Sequence, residues 1–307
     1  MTYTLHVLKK DNKDADVFFD EIDTLYTQNE QAPISQDIKK KLFEKSTFLI
    51  EAFIILKKKT AIGIFWVELT TPHYGNLTIY IPNSDDLDQS ISLIKQKGYF
   101  NKKIIELVAM VHFDEIKQLC FELNLTPNIR KRMYLWLNEL NQGYVNQNVD
   151  FKYTFQPYTK DLTQWGATVS VESHKISKDY EMYEEMLYVD KRKRLEDRVM
   201  EGLYGPVLES SSLVLSVDNT MVGYSLVVLV ECWGYKQVPW IFDICVDPHY
   251  HGKGYGKLLA NTMVQKIAKE GFEIMGLAVT LSNSIAMTLY QKQGFKDLDI
   301  FYEFVDP

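Results

Sequence analysis

Cysteine is scarce: 307 residues contain three, Cys120, Cys232 and Cys245. An odd number without metal-type spacing argues against a disulfide framework and a bound metal, and points to a reducing cytoplasm. Glycine and proline are few and no low-complexity tract occurs, as in an ordinary folded protein. No run of about 18 apolar residues is present, so no membrane span is expected. The start, Met1-Thr2-Tyr3-Thr4-Leu5, lacks a basic segment leading into an apolar stretch, so no signal peptide is expected. Positive charge is also short. A net charge of -7 disfavours a general nucleic-acid binder, although a local basic patch stays open.

What is there suits two folded domains. The chain is longer than one core usually supports, with 46% hydrophobic and 24% charged residues. Nineteen tyrosines can line a pocket or fill a core, and the number favours neither. A polar stretch, Asn141 to Asn148, follows the apolar Met133-Tyr134-Leu135-Trp136-Leu137 and precedes the alternating segment from Phe151 to Phe155. That places a boundary between domains 1–145 and 150–307.

Each part has the same rhythm. In the second, a strand from Phe151 and a helical region through Met200 lead to Ser212–Val217. That run turns at Asp218-Asn219 into Val222–Val230, as a hairpin would. Then come a strand Trp240–Val246, a glycine-rich loop, and a helix with Leu258, Leu259, Met263, Val264 and Ile267 on one face. A strand Ile274–Val279 and a helix from Ser284 to Gln293 complete it. In the first, Ala52–Leu56 turns through three lysines into Ala61–Val67, followed by Leu77–Ile81, a helix from Ser84, a strand Ile104–Ala109 and a helix through Leu123. Two copies of one fold are expected. The register sets Val246 over Ile81, Tyr290 over Phe121 and Asn283 over Asp114, and places the resulting gap in the glycine loop.

That loop reads His251-Gly252-Lys253-Gly254-Tyr255-Gly256, then Lys257. A glycine turn between strand and helix aims backbone N–H groups at one point, and the helix N-terminus adds partial positive charge, so phosphate is attracted. The lysines add charge, and His251 can donate to a phosphate oxygen. The first copy has Pro82-Asn83-Ser84-Asp85-Asp86 there, and its aspartates are first-turn helix residues that would repel the same ligand. A dinucleotide fold wants one more residue between the last two glycines and an acid after the next strand. A Walker loop wants Ser or Thr after Gly-Lys, and Leu258 stands there. A purely structural turn would not need three alternating glycines and two lysines.

The segment Ile244-Cys245-Val246-Asp247-Pro248-His249-Tyr250-His251-Gly252-Lys253-Gly254-Tyr255-Gly256 resembles motif A of the GNAT superfamily of N-acetyltransferases. Asn283 to Phe295 resembles that family's N-x-x-A-x-x-L-Y-x-x-x-G-F signature. The resemblance covers roughly Phe151 to the C-terminus, with His251 in place of the usual Arg or Gln. It implies an α/β (α+β) fold of tandem GNAT-like domains, each a mixed, mainly antiparallel sheet flanked by helices, the first a degenerate copy.

The resemblance further implies direct acyl transfer from acetyl-CoA, as cosubstrate, to a small-molecule or peptide amine in a ternary complex. Backbone N–H groups of Ile244, Cys245 and Val246 would hold the thioester carbonyl. Tyr290 takes the family's general-acid position and Asn283 that of a CoA contact. Cys245, in an apolar run, otherwise reads as a small core residue. The base is left open: Asp243 could be one or could organise one, Glu231 and His174 are further candidates, and a surface-accessible amine could need only water. Acceptor choice falls to the helical region Leu162 to Tyr204, whose acidic and tyrosine content (Glu172, Tyr180, Glu181, Tyr183, Glu184, Glu185, Tyr188) would permit a cationic amine. The rival reading is a CoA-binding sensor or scaffold without catalysis.

Overall fold

Continuous apolar runs such as Ala61–Val67 belong to strands covered on both faces, where both sets of alternating side chains are buried. The computed structural model of the protein describes residues 2–44, 46, 48–140, 152–175 and 182–306. The polar stretch 141–148 and Tyr180 and Glu181 lie outside the described residues. The chain forms two compact units.

The first unit comprises Met1–Asn128 together with Phe301–Pro307. It runs β1 (Tyr3–Val7), α1 (Lys13–Gln28), α2 (Ser35–Phe43), β2 (Leu49–Lys57), β3 (Thr60–Thr71), β4 (Tyr74–Tyr80), α3 (Leu87–Gln96), β5 (Ile104–Ala109) and α4 (Phe113–Glu122), before β6 (Thr126–Trp136) begins. The strands lie in the order β1-β2-β3-β4-β5, antiparallel except for β4 with β5. Phe53, Ile55, Phe65 and Val67 face α3 and α4, while Ile54, Ile64 and Trp66 face α1 and α2. The three-lysine turn is tight, with Lys58 and Lys59 in left-handed backbone.

The second unit comprises Ile129–Ile300. After most of β6 come β7 (Tyr153–Pro157), α5 (Thr163–His174), α6 (Glu184–Leu187), α7 (Val189–Met200), β8 (Leu213–Val217), β9 (Thr220–Cys232), β10 (Tyr235–Val246), α8 (Tyr255–Lys269), β11 (Ile274–Thr280), α9 (Ser284–Lys292) and β12 (Lys296–Val305). The order is β7-β8-β9-β10-β11-β6 and then the start of β12. Here the parallel pair is β10 with β11. The predicted hairpin turn holds, with Asp218 at φ 48° and Asn219 at φ 67°. Each unit is therefore a mixed, mainly antiparallel sheet flanked by helices. Among the described residues, no helix is long and apolar enough to cross a membrane.

The expected boundary between 145 and 150 differs from these units. Strand β6, written in the first half, pairs with β11 from Ile274↔Trp136 to Thr280↔Arg130. The end of β12 pairs with β5, through Glu303↔Glu106 and Phe304↔Ile105. A strand joins the sheet that satisfies its ladder hydrogen bonds, whichever half encodes it. The two halves have exchanged their last strands.

The repeat can be measured at two glycines. A Cβ on Gly63 would lie 2.7 Å from the Tyr80 carbonyl oxygen, and one on Gly223 would lie 2.5 Å from that of Cys245. Tyr80 thus matches Cys245 and Ile81 matches Val246, as the register expected. The last helices need a correction. Leu125 N–H donates to the Cys120 carbonyl as Phe295 N–H donates to that of Tyr290, each at 3.1 Å. Tyr290 therefore stands over Cys120, not Phe121, and Asn283 over Phe113. The length difference does not sit in the loop alone, because α8 has 15 residues and α3 has 10.

Candidate active site

The site follows from the way β10 leaves β11. The two strands pair at Trp240↔Gly276 and Ile241↔Leu277. Past that point the β9–β10 register shifts at Phe242, and β10 follows β9 to Val246↔Gly223 while β11 follows β6. Among the described residues, no strand pairs with the opened edge of β10 beyond Asp243. A cavity of about 530 Å³ fills the opening. Ile244, Cys245 and Val246 line it on one side and Asn283 and Tyr290 on the other. His251, Gly252, Gly254, Tyr255, Gly256 and Lys257 also line it.

The loop keeps its backbone open. Asp247 accepts from His249 N–H at 2.9 Å and starts a short turn at Pro248. Gly252 and Gly254 then take φ of 76° and 82°, with open space where side chains would be. No side chain caps α8 and its first turn has no acid, so its leading N–H groups face the cavity mouth. Lys253 turns its ammonium over the Tyr250 ring at 5.2 Å. His251 differs from expectation: its Nε2 donates to the Val246 carbonyl at 2.6 Å. Ser173 Oγ donates to the same oxygen at 2.7 Å, so His251 here fixes the strand end.

The first unit fills the matching place with its own side chains. Asn83 caps a short turn, Ser84–Asp86, by accepting from Asp85 N–H. Asp86 is more than a first-turn acid, since it is buried and accepts from Tyr3 Oη at 2.7 Å and Lys57 Nζ at 2.6 Å. Burial raises its pKa, but Lys57 and Tyr3 outweigh that and hold it below the ordinary value.

Tyr290 is buried in the cavity wall. Burial first, then the Asp243 carboxylate, raises its pKa well above the tyrosine range, so the hydroxyl stays protonated. Asn283 caps α9 by accepting from Ala286 N–H at 3.1 Å.

The three base candidates part company. Glu231 is exposed toward the far end of β9 and does not line the cavity. Asp243 is buried and does not line it either. Its Oδ2 accepts from Arg192, from Ser170 Oγ at 2.8 Å and from Tyr224 Oη at 2.9 Å. Burial would raise its pKa, yet Arg192, then His174, Cys245 and Ser170, hold it down at about 2. A carboxylate so stabilised is a poor proton acceptor at neutral pH, which corrects its expected role as base. His174 does line the cavity. Its Nδ1 lies 2.8 Å from the Ser170 carbonyl, a geometry that assigns the proton to Nδ1 and the lone pair to Nε2.

Behind these groups lies a buried network that the sequence reading missed. Arg192 Nε donates to Glu196 Oε1 at 2.9 Å, Tyr158 Oη donates to Oε2, and Tyr224 Oη lies 2.8 Å from Oε1, so its single proton is shared between Glu196 and Asp243. Gly166 leaves room for it: a Cβ there would sit 1.9 Å from Tyr158 Oη. By contrast, several expected acceptor-facing acids are paired locally, Glu172 with Lys175 at 2.6 Å and Glu184 with Lys191.

Residues 179–295 match the family described as Acetyltransferase (GNAT) family. The ribosomal protein bS18-alanine N-acetyltransferase of Haemophilus influenzae is 33% identical over 89 residues, 29% of this chain and 57% of that protein. Its Escherichia coli K12 counterpart is 35% identical over 60 residues, 20% of this chain and 40% of that protein. The chain thus spans only about half the length of these curated relatives. Two solved structures share the fold over nearly the whole chain. A GCN5-related N-acetyltransferase from Sphaerobacter thermophilus is 12% identical, covering 99% of this chain and 96% of its own, with a TM-score of 0.60. A tandem GNAT protein from the clavulanic acid biosynthesis pathway is 11% identical, covering 100% and 99%, with a TM-score of 0.55.

Proposed function

Because its second half carries a domain of the GNAT acetyltransferase family, we propose that this chain transfers an acyl group from acetyl-CoA directly to a primary amine. The reaction belongs to the cavity between β10 and β11. The observation that carries this is the uncapped, glycine-opened start of α8 at one end of a cavity whose wall holds Tyr290.

The CoA pyrophosphate sits on the N–H groups of Gly252 to Gly256, with Lys253 and Lys257 beside it. The pantetheine arm lies along the opened edge of β10, where the N–H groups of Ile244 and Val246 are the candidate donors to the thioester carbonyl, that of Cys245 being turned to β9. The amine gives its proton to Nε2 of His174, whose ring is held through Nδ1 by the Ser170 carbonyl. As the tetrahedral intermediate collapses, the Tyr290 hydroxyl protonates the leaving thiolate. Asp243, through its hydrogen bond from Ser170 Oγ, is a positioning residue.

The acceptor class to test first is a peptide N-terminal amine, because the bS18-alanine N-acetyltransferases act on an alanine. Thiol release from acetyl-CoA is measured with a peptide beginning in alanine, a lysine side chain and a polyamine. Tyr290→Phe is expected to lower kcat by about 10²–10⁴-fold while acetyl-CoA still binds at one per chain. Tight acetyl-CoA binding without thiol release to any acceptor would instead make the chain a CoA sensor. Two bound per chain would overturn the account of the acidic loop.

A further inference from the structure

His174, Asp243 and Cys245 stand together in the second unit, His174 and Cys245 on the cavity lining and Asp243 buried beside them, and each offers one ligand atom within 4.8 Å of the others. Cys245 Sγ lies 3.1 Å from Asp243 Oδ1 and 4.0 Å from His174 Nδ1, and His174 Nε2 lies 4.0 Å from the same Oδ1. We propose that these three side chains form a binding site for a thiophilic divalent cation, Zn²⁺ in the first instance.

The donor set is one sulfur, one imidazole nitrogen and one carboxylate oxygen, which suits Zn²⁺ and disfavours Mg²⁺ or Ca²⁺. Zinc bonds of about 2.0–2.3 Å in a tetrahedron space the donors by roughly 3.5 Å. The Sγ–Oδ1 and Nε2–Oδ1 separations, 3.1 and 4.0 Å, bracket that value, so small side-chain shifts close the site.

The surroundings are already arranged as they are around a bound metal. Ligating histidines commonly give their other ring N–H to a backbone carbonyl, and His174 Nδ1 has the Ser170 carbonyl at 2.8 Å. Ligating carboxylates are held by their second oxygen, and Arg192, Ser170 and Tyr224 all hold Asp243 Oδ2. His174 and Cys245 both line the cavity, which leaves the fourth position to water. Arg192 is set against two carboxylates, Asp243 and Glu196, so the buried ions beside the cluster sum to negative charge. On binding, the Cys245 S–H bond gives way to a Zn–S bond and its proton leaves to solvent. The ion would occupy Nε2 of His174 and so block acyl transfer, a consequence that rests on the function proposed above.

The test is a titration of metal-free full-length protein with Co²⁺, without acyl donor or acceptor. Its readout is therefore independent of whether the chain is an acetyltransferase. One equivalent is expected to produce a thiolate-to-cobalt charge-transfer band and tetrahedral visible absorption, both removed by Zn²⁺. The band is expected to persist in Cys120→Ser and Cys232→Ser and to vanish in Cys245→Ser. His174→Gln, which changes a partly exposed side chain and serves if Cys245→Ser fails to fold, is expected to weaken Co²⁺ binding at least tenfold, by analogy with metal-site substitutions. Absence of the band at millimolar Co²⁺, its survival in Cys245→Ser, or unchanged affinity in His174→Gln would each overturn the site.

Discussion

Arg192 is 3% exposed and Glu196 is fully buried, and the two are paired at 2.9 Å. Burial works against charge on Arg192, but Asp243, Tyr224 and Glu196 outweigh it and keep Arg192 protonated. Removing one partner of such a pair leaves a buried ion uncompensated. Asp243→Asn is therefore expected to cost about 3–5 kcal/mol in urea unfolding, several times the effect of an exposed charge change. A loss below 1 kcal/mol would mean that water reaches the network. The loop glycines and Tyr290 were legible in the sequence because backbone freedom and motif spacing are local properties. Arg192 was not, since Lys191-Arg192-Lys193-Arg194 reads as a solvated helix face. What could have betrayed it is the spacing of Arg192, Glu196 and Val199, which are all buried and share one face of α7.

At the scale of elements, the two copies differ most where α3 and α8 begin. Period-two patterning and turn chemistry made the hairpins readable, and the glycines made the start of α8 readable. The partners of Asp86 come from β1 and from the end of β2, far away in sequence, so no local pattern could reveal them. Strand β1 and helices α1 and α2 likewise went unread: β1 is short and mostly exposed, and its place is fixed by pairing with β2. The helix register of α4 was misjudged by one residue because either Cys120 or Phe121 supplies an apolar side chain near the core. Asp86 also gives the first unit a pH signature. Its folded pKa lies below the unfolded value of 3.8, so its contribution to stability is complete above about pH 4. That contribution is lost as pH falls through the folded value. Thermal unfolding of Asp86→Asn is expected to lose this part of the acid dependence, with the gap to wild type narrowing below pH 4. A gap that widens there would reverse the assignment.

For the molecule as a whole, the fold class was legible because the same rhythm is written twice, but the membership of the terminal strands was not. Hydrophobic patterning shows that β6 and β12 are strands without showing which sheet takes them. Fragments 1–140 and 152–307 would each lack a strand that their compact unit uses. Each alone is expected to be poorly folded by circular dichroism and hydrogen exchange, and the two produced together are expected to recover a cooperative transition. Independent two-state unfolding of either fragment would show that the exchanged strands are dispensable. The exchange also constrains descent. A half without the glycine loop can usually decay and be lost after duplication, yet here deleting it would take β6 away from β11. The copy without the loop is thus retained by topology, and selection on the second half's chemistry would preserve the first half's strand whether or not the first half binds anything.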